Sequence, residues 1–519
     1  MNVPPEKNIT PANDPLEFLK ELLISRRRIP QSTYRLQLNN GFTFFQAKSI
    51  VPYLASLGIT HCYTSPFLAA GKGSQHGYDI SSYTRINPEL GGEEGYDELS
   101  AELSRNQMGQ ILDFVPNHMG ISSSENKWWQ DVLENGRCSP YAGFFDIEWN
   151  PAKAELKNKI LLPILGDQYG VILERGDLVL EFDAGSFFVK YFEHHLPINP
   201  QSVPVILSHN LEPLQKELPE DDPHLLEFLS IITALNHLPS IKETAVEKIE
   251  ERLREKEVSR NRLHRLTRES PRIHQHLLEN LKFLNGTPGR PESFDLLHQL
   301  LENQVYRLSS WRTAAHEINY RRFFDINHLA GIRMEAPEVF EKTHALILQL
   351  IGEGKISGLR LDHPDGLFDP AGYFERLQEA VLYEYLSRDE HFSRHDPLAL
   401  RQSIQQWRRN EKQEDPSGPV RRPLYLVVEK ILTGAESLPE HWTVHGTSGY
   451  DFMNDLNGVF VDSSHEKLFS QIYTRFTGVS APFWEIVYES KKLIMQTALT
   501  SELNVLVRAL NLISEEDRH

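Results

Sequence analysis

The chain has 519 residues with 40% hydrophobic and 24% charged side chains, a length that suits one large barrel with insertions or two to three domains. Its formal net charge of −18 speaks against a nucleic-acid or anionic-membrane partner, and no stretch approaches the roughly 20 consecutive apolar residues of a membrane helix. Two cysteines, Cys62 and Cys138, and a polar, proline-rich start without a signal-peptide pattern fit a cytoplasmic protein with buried thiols and no disulfide framework.

Residues 1–29 read as a helical or disordered lead-in. From Gln31 to about Gly120, short apolar runs alternate with helix-like segments: Ser32–Leu38, a helical pattern through Leu57, Thr60–Pro66, and Gln110–His118. Strand, helix, strand, helix, strand implies right-handed βα units and a parallel sheet, so residues 30–150 are expected to form the first part of a barrel. Between roughly Pro151 and Trp311 the rhythm breaks, which predicts an inserted mixed α/β subdomain over 151–310. Within it Gly170–Phe192 reads as a β-meander turning at Arg175-Gly176-Asp177 and Asp183-Ala184-Gly185, and Ile241–Lys256 as a polar helix.

The βα rhythm returns with a helix over Pro337–Glu353, the strand Ile356–Asp362, a helix over Ala371–Leu386 and the apolar run Leu424–Glu429. Arg408–Arg422, rich in charge, Gly and Pro, reads as a loop or disordered link. A sixth strand is expected near Gly446–Asp451, with only helices beyond it. The fold class is therefore an α/β, (β/α)8 TIM-type barrel whose last strands are missing, with residues 311–519 as its truncated second part.

Three of these strands finish in ionisable residues: Asp113 with Asn117 and His118; Arg360 with Asp362, His363 and Asp365; and Glu429 with Lys430. In a parallel barrel all strand C-termini open on one face, so the groups converge there. Retaining glycosidic exchange needs two carboxyl groups about 5 Å apart, and Asp362 and Glu429 are the natural pair. Arg360 is expected to keep the nucleophile ionised, and the apolar run before Glu429 to raise that acid so that it holds a proton. His118 and His363 can donate hydrogen bonds to sugar hydroxyls. Any one of these acids alone could merely cap a helix or make a turn. A metal is also conceivable, but no pair has the helical His spacing of a zinc site, and none is expected. No cofactor is expected either.

Asp113-Phe114-Val115-Pro116-Asn117-His118 resembles the first conserved region of the α-amylase clan, and Gly358 to Gly366 the second. The resemblance implies that Asp362 is the nucleophile, Arg360 its partner and Glu429 the general acid/base. It also implies a sugar-binding set of Tyr78, Asp113, Asn117, His118, His76 and His363, because His76-Gly77-Tyr78-Asp79 is similar to the segment whose tyrosine stacks beneath the sugar.

Within the clan, Thr33–Gln37, Glu317–Ile326 and Gly446–Phe452 resemble maltooligosyltrehalose synthase, and the likeness runs from about Pro30 to Arg508. It implies intramolecular transglycosylation of a maltooligosaccharide, converting the reducing-end α-1,4 linkage to an α,α-1,1 linkage in trehalose biosynthesis, with the inserted subdomain as a lid. That family carries a third catalytic carboxylate on its seventh strand, and no such segment follows Phe452. A second chain supplying the missing strands is the expected consequence. The alternatives are an α-glucan hydrolase of the same clan and an inactive glucan-binding chain.

Overall fold

In the computed structural model, the described residues are 15–26, 29–122, 124–390, 392–414 and 419–517. The described residues divide into two compact units, one drawn from 15–120 and 332–482, the other from 121–331 and 483–517.

The first unit is built on a six-stranded sheet: β1 (Thr33–Leu36), β2 (His61–Thr64), β3 (Gly109–Phe114), β4 (Gly358–Leu361), β5 (Tyr425–Val428) and β6 (Gly446–Thr447). The strands lie side by side in chain order and every pair is parallel, the arrangement of consecutive βα units along a barrel wall. All six residues of β3 and all four of β4 are buried, which is why their sequences run apolar without alternation. Helices Phe44–Ser56, Gly92–Arg105, Pro337–Gly352 and Pro370–Ser387 follow β1 to β4.

The first of these helices shows how local chemistry sets the frame. Thr43 and Gln46 close a capping box at its start, and Phe44, Ala47, Val51 and Leu54 form its buried stripe. Phe44 then joins Phe67 and Tyr96 in an aromatic cluster with ring centroids 4.7–5.8 Å apart. After β2 the chain makes an antiparallel excursion, Leu68–Ala70 against Ile80–Ile86, whose connecting loop carries His76–Asp79.

In the second unit Val179–Asp183, Ser186–Tyr191 and His194–Pro197 form an antiparallel sheet, and Ile160–Leu165 pairs in parallel with Tyr306–Ser310. Residues Tyr169–Glu174 are helical, so the expected meander begins only after the turn at Arg175–Asp177. The helix's apolar run buries Ile172 and Leu173 and exposes Val171, and periodicity over so few residues does not separate helix from strand.

The polar helix spans Val246–Glu269, and its polarity is partly internal: Arg252 and Lys256 are buried one turn apart on the same face. Lys256 donates to Glu134 at 2.5 Å and Arg260 donates to the other oxygen of the same carboxylate.

Of the stretch Arg408–Arg422, expected to be loop, residues 408–414 are helix and 419–422 are turn and bend. Pro397–Glu414 is helical, and Arg408 is buried with its guanidinium 2.8 Å from Glu375. Charge density misled there, because a buried ion pair reads as surface in sequence; residues 415–418 of that stretch lie outside the described residues. After β6 only helices follow, Tyr450–Gly458, Glu466–Thr477, Phe483–Thr497 and Thr500–Glu516, as expected. No helix among the described residues is long and apolar enough to cross a membrane.

Candidate active site

Strand register brings the acids together. Leu361 of β4 pairs with Val428 of β5, so Asp362 and Glu429, the next residue on each, stand at the same level of neighbouring parallel strands, and the Glu429 amide donates to the Leu361 carbonyl at 2.9 Å. Neighbouring strands are about 4.8 Å apart, and residues at one level of a parallel pair project to the same side. Arg360 pairs in register with Asp113 of β3 and with Val427 of β5. One of its terminal nitrogens donates to both Asp362 Oδ1, at 2.6 Å, and Asp113 Oδ1, at 2.7 Å.

The Asp113 carboxylate is the hub of the site. Its Oδ2 accepts from Tyr78 Oη at 2.5 Å, Arg35 at 2.7 Å and Tyr63 Oη at 3.2 Å, and its side chain is fully buried. Asp113, expected among the sugar-binding residues, is thus fully engaged with Tyr78, Arg35, Tyr63 and Arg360. Asn117 and His118 are likewise enclosed, at 1% and 0% exposure. All three stand at or just beyond the C-terminal end of β3, the end at which the acids converge.

Tyr78 and His76 lie higher. Tyr78 is partly exposed, its phenol tied to Asp113 and its hydroxyl pushed far above the usual range by burial and that carboxylate. The His76 side chain is more than half exposed and its Nδ1 accepts from the Tyr78 amide at 3.1 Å. Gly77 between them has φ +78°, and a Cβ there would meet the Pro66 carbonyl oxygen at 2.4 Å, so the loop that sets Tyr78 requires glycine.

His363 adopts the left-handed conformation, φ 46° and ψ 57°, which turns its backbone N–H toward Glu429 Oε2 at 3.3 Å. Lys430 then reaches Asp365 at 3.2 Å and Glu436 at 3.0 Å, linking the loops that follow β4 and β5.

The electrostatics differ from the expectation in one respect. Burial pushes the Asp362 carboxyl up to about 6, and the Asp113 and Glu429 charges add to that push; Arg360 opposes it without cancelling it. Arg360 itself is held above its usual range, because Asp113, Tyr63 and Asp362 outweigh its own desolvation.

Two residues escaped the sequence reading as site members, Arg35 and Tyr63. Both stand near the ends of predicted strands, and a charged residue inside the apolar run of β1 was the available signal. Among the described residues, no three of His, Cys, Asp or Glu gather as a metal site would require.

Parallel strands in chain order, with an Arg-x-Asp strand end beside a glutamate strand end, make the wall of a TIM-type barrel, and residues 48–197 match the model of the α-amylase catalytic domain. Over 443 residues the chain is 30% identical to a Mycobacterium tuberculosis protein named as a maltooligosyl trehalose synthase, a match covering 84% of this chain and 39% of that one. The solved maltooligosyltrehalose synthase of Arthrobacter ramosus superposes with a TM-score of 0.62 at 30% identity, over 93% of this chain and 45% of that one. The chain is thus a homologue of the maltooligosyltrehalose synthases, and it spans less than half the length of these two relatives. A shorter likeness, 37% over 99 residues, joins it to the intracellular maltogenic amylase of Bacillus subtilis, covering 19% of this chain and 16% of that one.

Proposed function

We propose that this chain carries the nucleophile and the acid/base of a retaining α-glucan transglycosylase that forms an α,α-1,1 linkage at the reducing end of a maltooligosaccharide. The observation that carries the reading is the shared level of Asp362 and Glu429 on adjacent parallel strands. That spacing suits the roughly 5–5.5 Å of a nucleophile and acid/base pair better than the wider gap of an inverting pair. Asp362 attacks the anomeric carbon of the terminal linkage while Glu429 gives its proton to the departing glycosidic oxygen, and the bond to the terminal glucose breaks.

The freed glucose turns in place. Its anomeric hydroxyl then attacks the glycosyl–enzyme carbon, Glu429 takes back the hydroxyl proton, and Asp362 leaves as carboxylate. Water must lose this competition, which requires an enclosed site where the glucose is held next to the intermediate. The Tyr78 ring, fixed through its hydroxyl by Asp113 and Arg35, suits the platform beneath the reacting sugar.

We further propose that additional polypeptide completes the barrel wall beyond β6. Support comes from the sheet, whose order runs from β1 to β6 without closing. The helices after β6 also present large apolar side chains, with Phe452, Phe460, Phe469 and Phe476 between 69% and 90% exposed. Size-exclusion chromatography with thermal melting checks this: association or a broad, weak melt is expected, and a compact monomer that melts cooperatively would overturn it.

The catalytic reading is tested by incubating maltohexaose with the purified protein and following reducing power and glucose together, with Asp362→Asn as control. Loss of reducing ends without glucose is the expected result. The similarity to the Bacillus subtilis maltogenic amylase favours a second reading, hydrolysis, and glucose release abolished by Asp362→Asn would establish that instead. No change in either quantity, with or without polypeptide completing the barrel, would overturn both.

A further inference from the structure

Arg35 lies on β1 in register with Tyr63 of β2, and its guanidinium carbon sits 4.3 Å from the centre of the Tyr63 ring. Stacking on that face fixes the plane of the fork. One nitrogen then reaches Asp113 Oδ2 at 2.7 Å, and the other lies 3.2 Å from Tyr78 Oη and 3.4 Å from Gln37 Oε1. Gln37, two residues on along the same face of the chain, donates in turn to the Gln75 carbonyl at 3.2 Å. So the first strand grips the loop bearing Tyr78 at two points, the phenol and the backbone.

The same guanidinium decides how Arg360 is shared. Arg360 offers one nitrogen to both Asp113 and Asp362, and Arg35 supplies Asp113 with a cation of its own. We propose that Arg35 is a positioning residue of the barrel mouth: its fork latches the Tyr78 loop to Asp113, and its charge frees Arg360 to hold the Asp362 carboxylate.

This rests on the reading of Asp362 as nucleophile, but its test does not need turnover. The charged and titratable groups around Asp362 are Arg360 on its own strand, Asp113 on β3, Glu429 on β5 and Tyr83 on the Ile80–Ile86 strand, with Tyr63, Tyr78 and Arg35 behind Asp113. Without Arg35, the Asp113 charge draws harder on Arg360, and Asp362 keeps its proton to higher pH. A lysine at position 35 would restore the charge but not the fork.

Two measurements on the full chain read these effects. Infrared difference spectra, assigned with Asp362→Asn, follow the protonated Asp362 carboxyl against pH, and hydrogen exchange follows the Lys72–Tyr78 backbone. In Arg35→Gln the carboxyl band should persist to about one pH unit higher and the loop should exchange about tenfold faster. In Arg35→Lys the carboxyl should titrate as in the parent while the loop stays fast. If Arg35→Gln does not fold, Tyr63→Leu removes the stack together with the Tyr63 hydroxyl's bond to Asp113 while leaving Arg35, Arg360 and Asp113 charged, and the loop should loosen. Arg35→Gln leaving both readouts unchanged overturns the proposal, and so does Arg35→Lys restoring both or Tyr63→Leu leaving the loop as tight as in the parent. An inactive protein showing the expected shifts would count against the glucan reading and not against this one.

Discussion

Both units bury charge, and they do so to different ends. In the second unit each oxygen of the Glu134 carboxylate has a cation of its own, Lys256 at 2.5 Å on one and Arg260 on the other, and Asn135 adds a further donor at 3.3 Å. In the barrel unit Asp113 and Asp362 compete for a single nitrogen of Arg360. The first arrangement leaves neither Glu134 oxygen wanting a donor and holds a long helix to the segment Lys127–Asn135. The second leaves a buried carboxyl under-served, pushed up to about 6, where it can change charge state near neutrality. A matched buried network stabilises; a deliberately unmatched one is available for chemistry.

Breaking the matched network should have the largest effect. Glu134→Leu takes from Lys256 and Arg260 the buried carboxylate between them, leaving Glu257 at 3.5 and 2.8 Å, in a site where Lys256 is 5% exposed. We expect a loss of about 3–5 kcal/mol, read by chemical denaturation. A loss under about 1 kcal/mol would show that the knot is as loosely coupled as a surface pair.

Asp113→Asn comes next. It removes the charge between two guanidiniums and should cost roughly 2–4 kcal/mol. Because Asp113 contributes to the push on Asp362, the same change should let Asp362 ionise at lower pH, moving the acid limb of activity downward. An acid limb that moves upward would mean that Asp113 supports ionisation and that the sharing of Arg360 has been misread.

The third prediction concerns Asp362 itself. A carboxyl raised from its ordinary 3.8 to about 6 binds its proton more tightly in the folded chain than in the unfolded one. Stability is therefore full below about pH 4, falls as pH rises through that window, and carries the whole cost of the buried charge above pH 6. Asp362→Asn should abolish this slope, gaining about 3 kcal/mol at pH 8 and close to nothing at pH 4, while ending turnover. Denaturation curves at the two pH values check the difference; equal effects at both would show that the carboxyl is not held up by burial.

What sequence could and could not show follows the same division. The six strands were legible because β3, β4 and β5 are apolar runs ending in ionisable residues, and the site acids stand at those ends. The register of Asp362 beside Glu429 comes from the pairing of Leu361 with Val428, which parallel direction by itself does not fix. Burial was not legible. Asp113, Asn117 and His118 read only as polar strand ends although they are buried, and Arg408 reads as loop although it is buried in a helix and pairs with Glu375. A polar residue looks the same in sequence whether it faces water or a buried partner. Arg35 and Tyr63 were missed for the converse reason, since their roles arise from contacts with residues 28 to 78 positions away.

The smallest expected effect tests where the boundary between the two kinds of charge lies. Lys430, directly after Glu429, bridges Asp365 and Glu436, whose side chains are 54% and 41% exposed. Partners so open to solvent screen the pair, and Lys430→Met should cost less than about 1 kcal/mol, shrinking further in high salt. The bridge nevertheless joins the loop that places the His363 amide on Glu429 to the loop after Glu429 itself. Its removal should therefore act on the acid/base more than on stability, lowering kcat with little change in KM or in the denaturation midpoint. A loss of 2 kcal/mol or more would place this bridge with the matched network of the second unit. It would then follow that the barrel mouth is braced by its loops as well as by its strands.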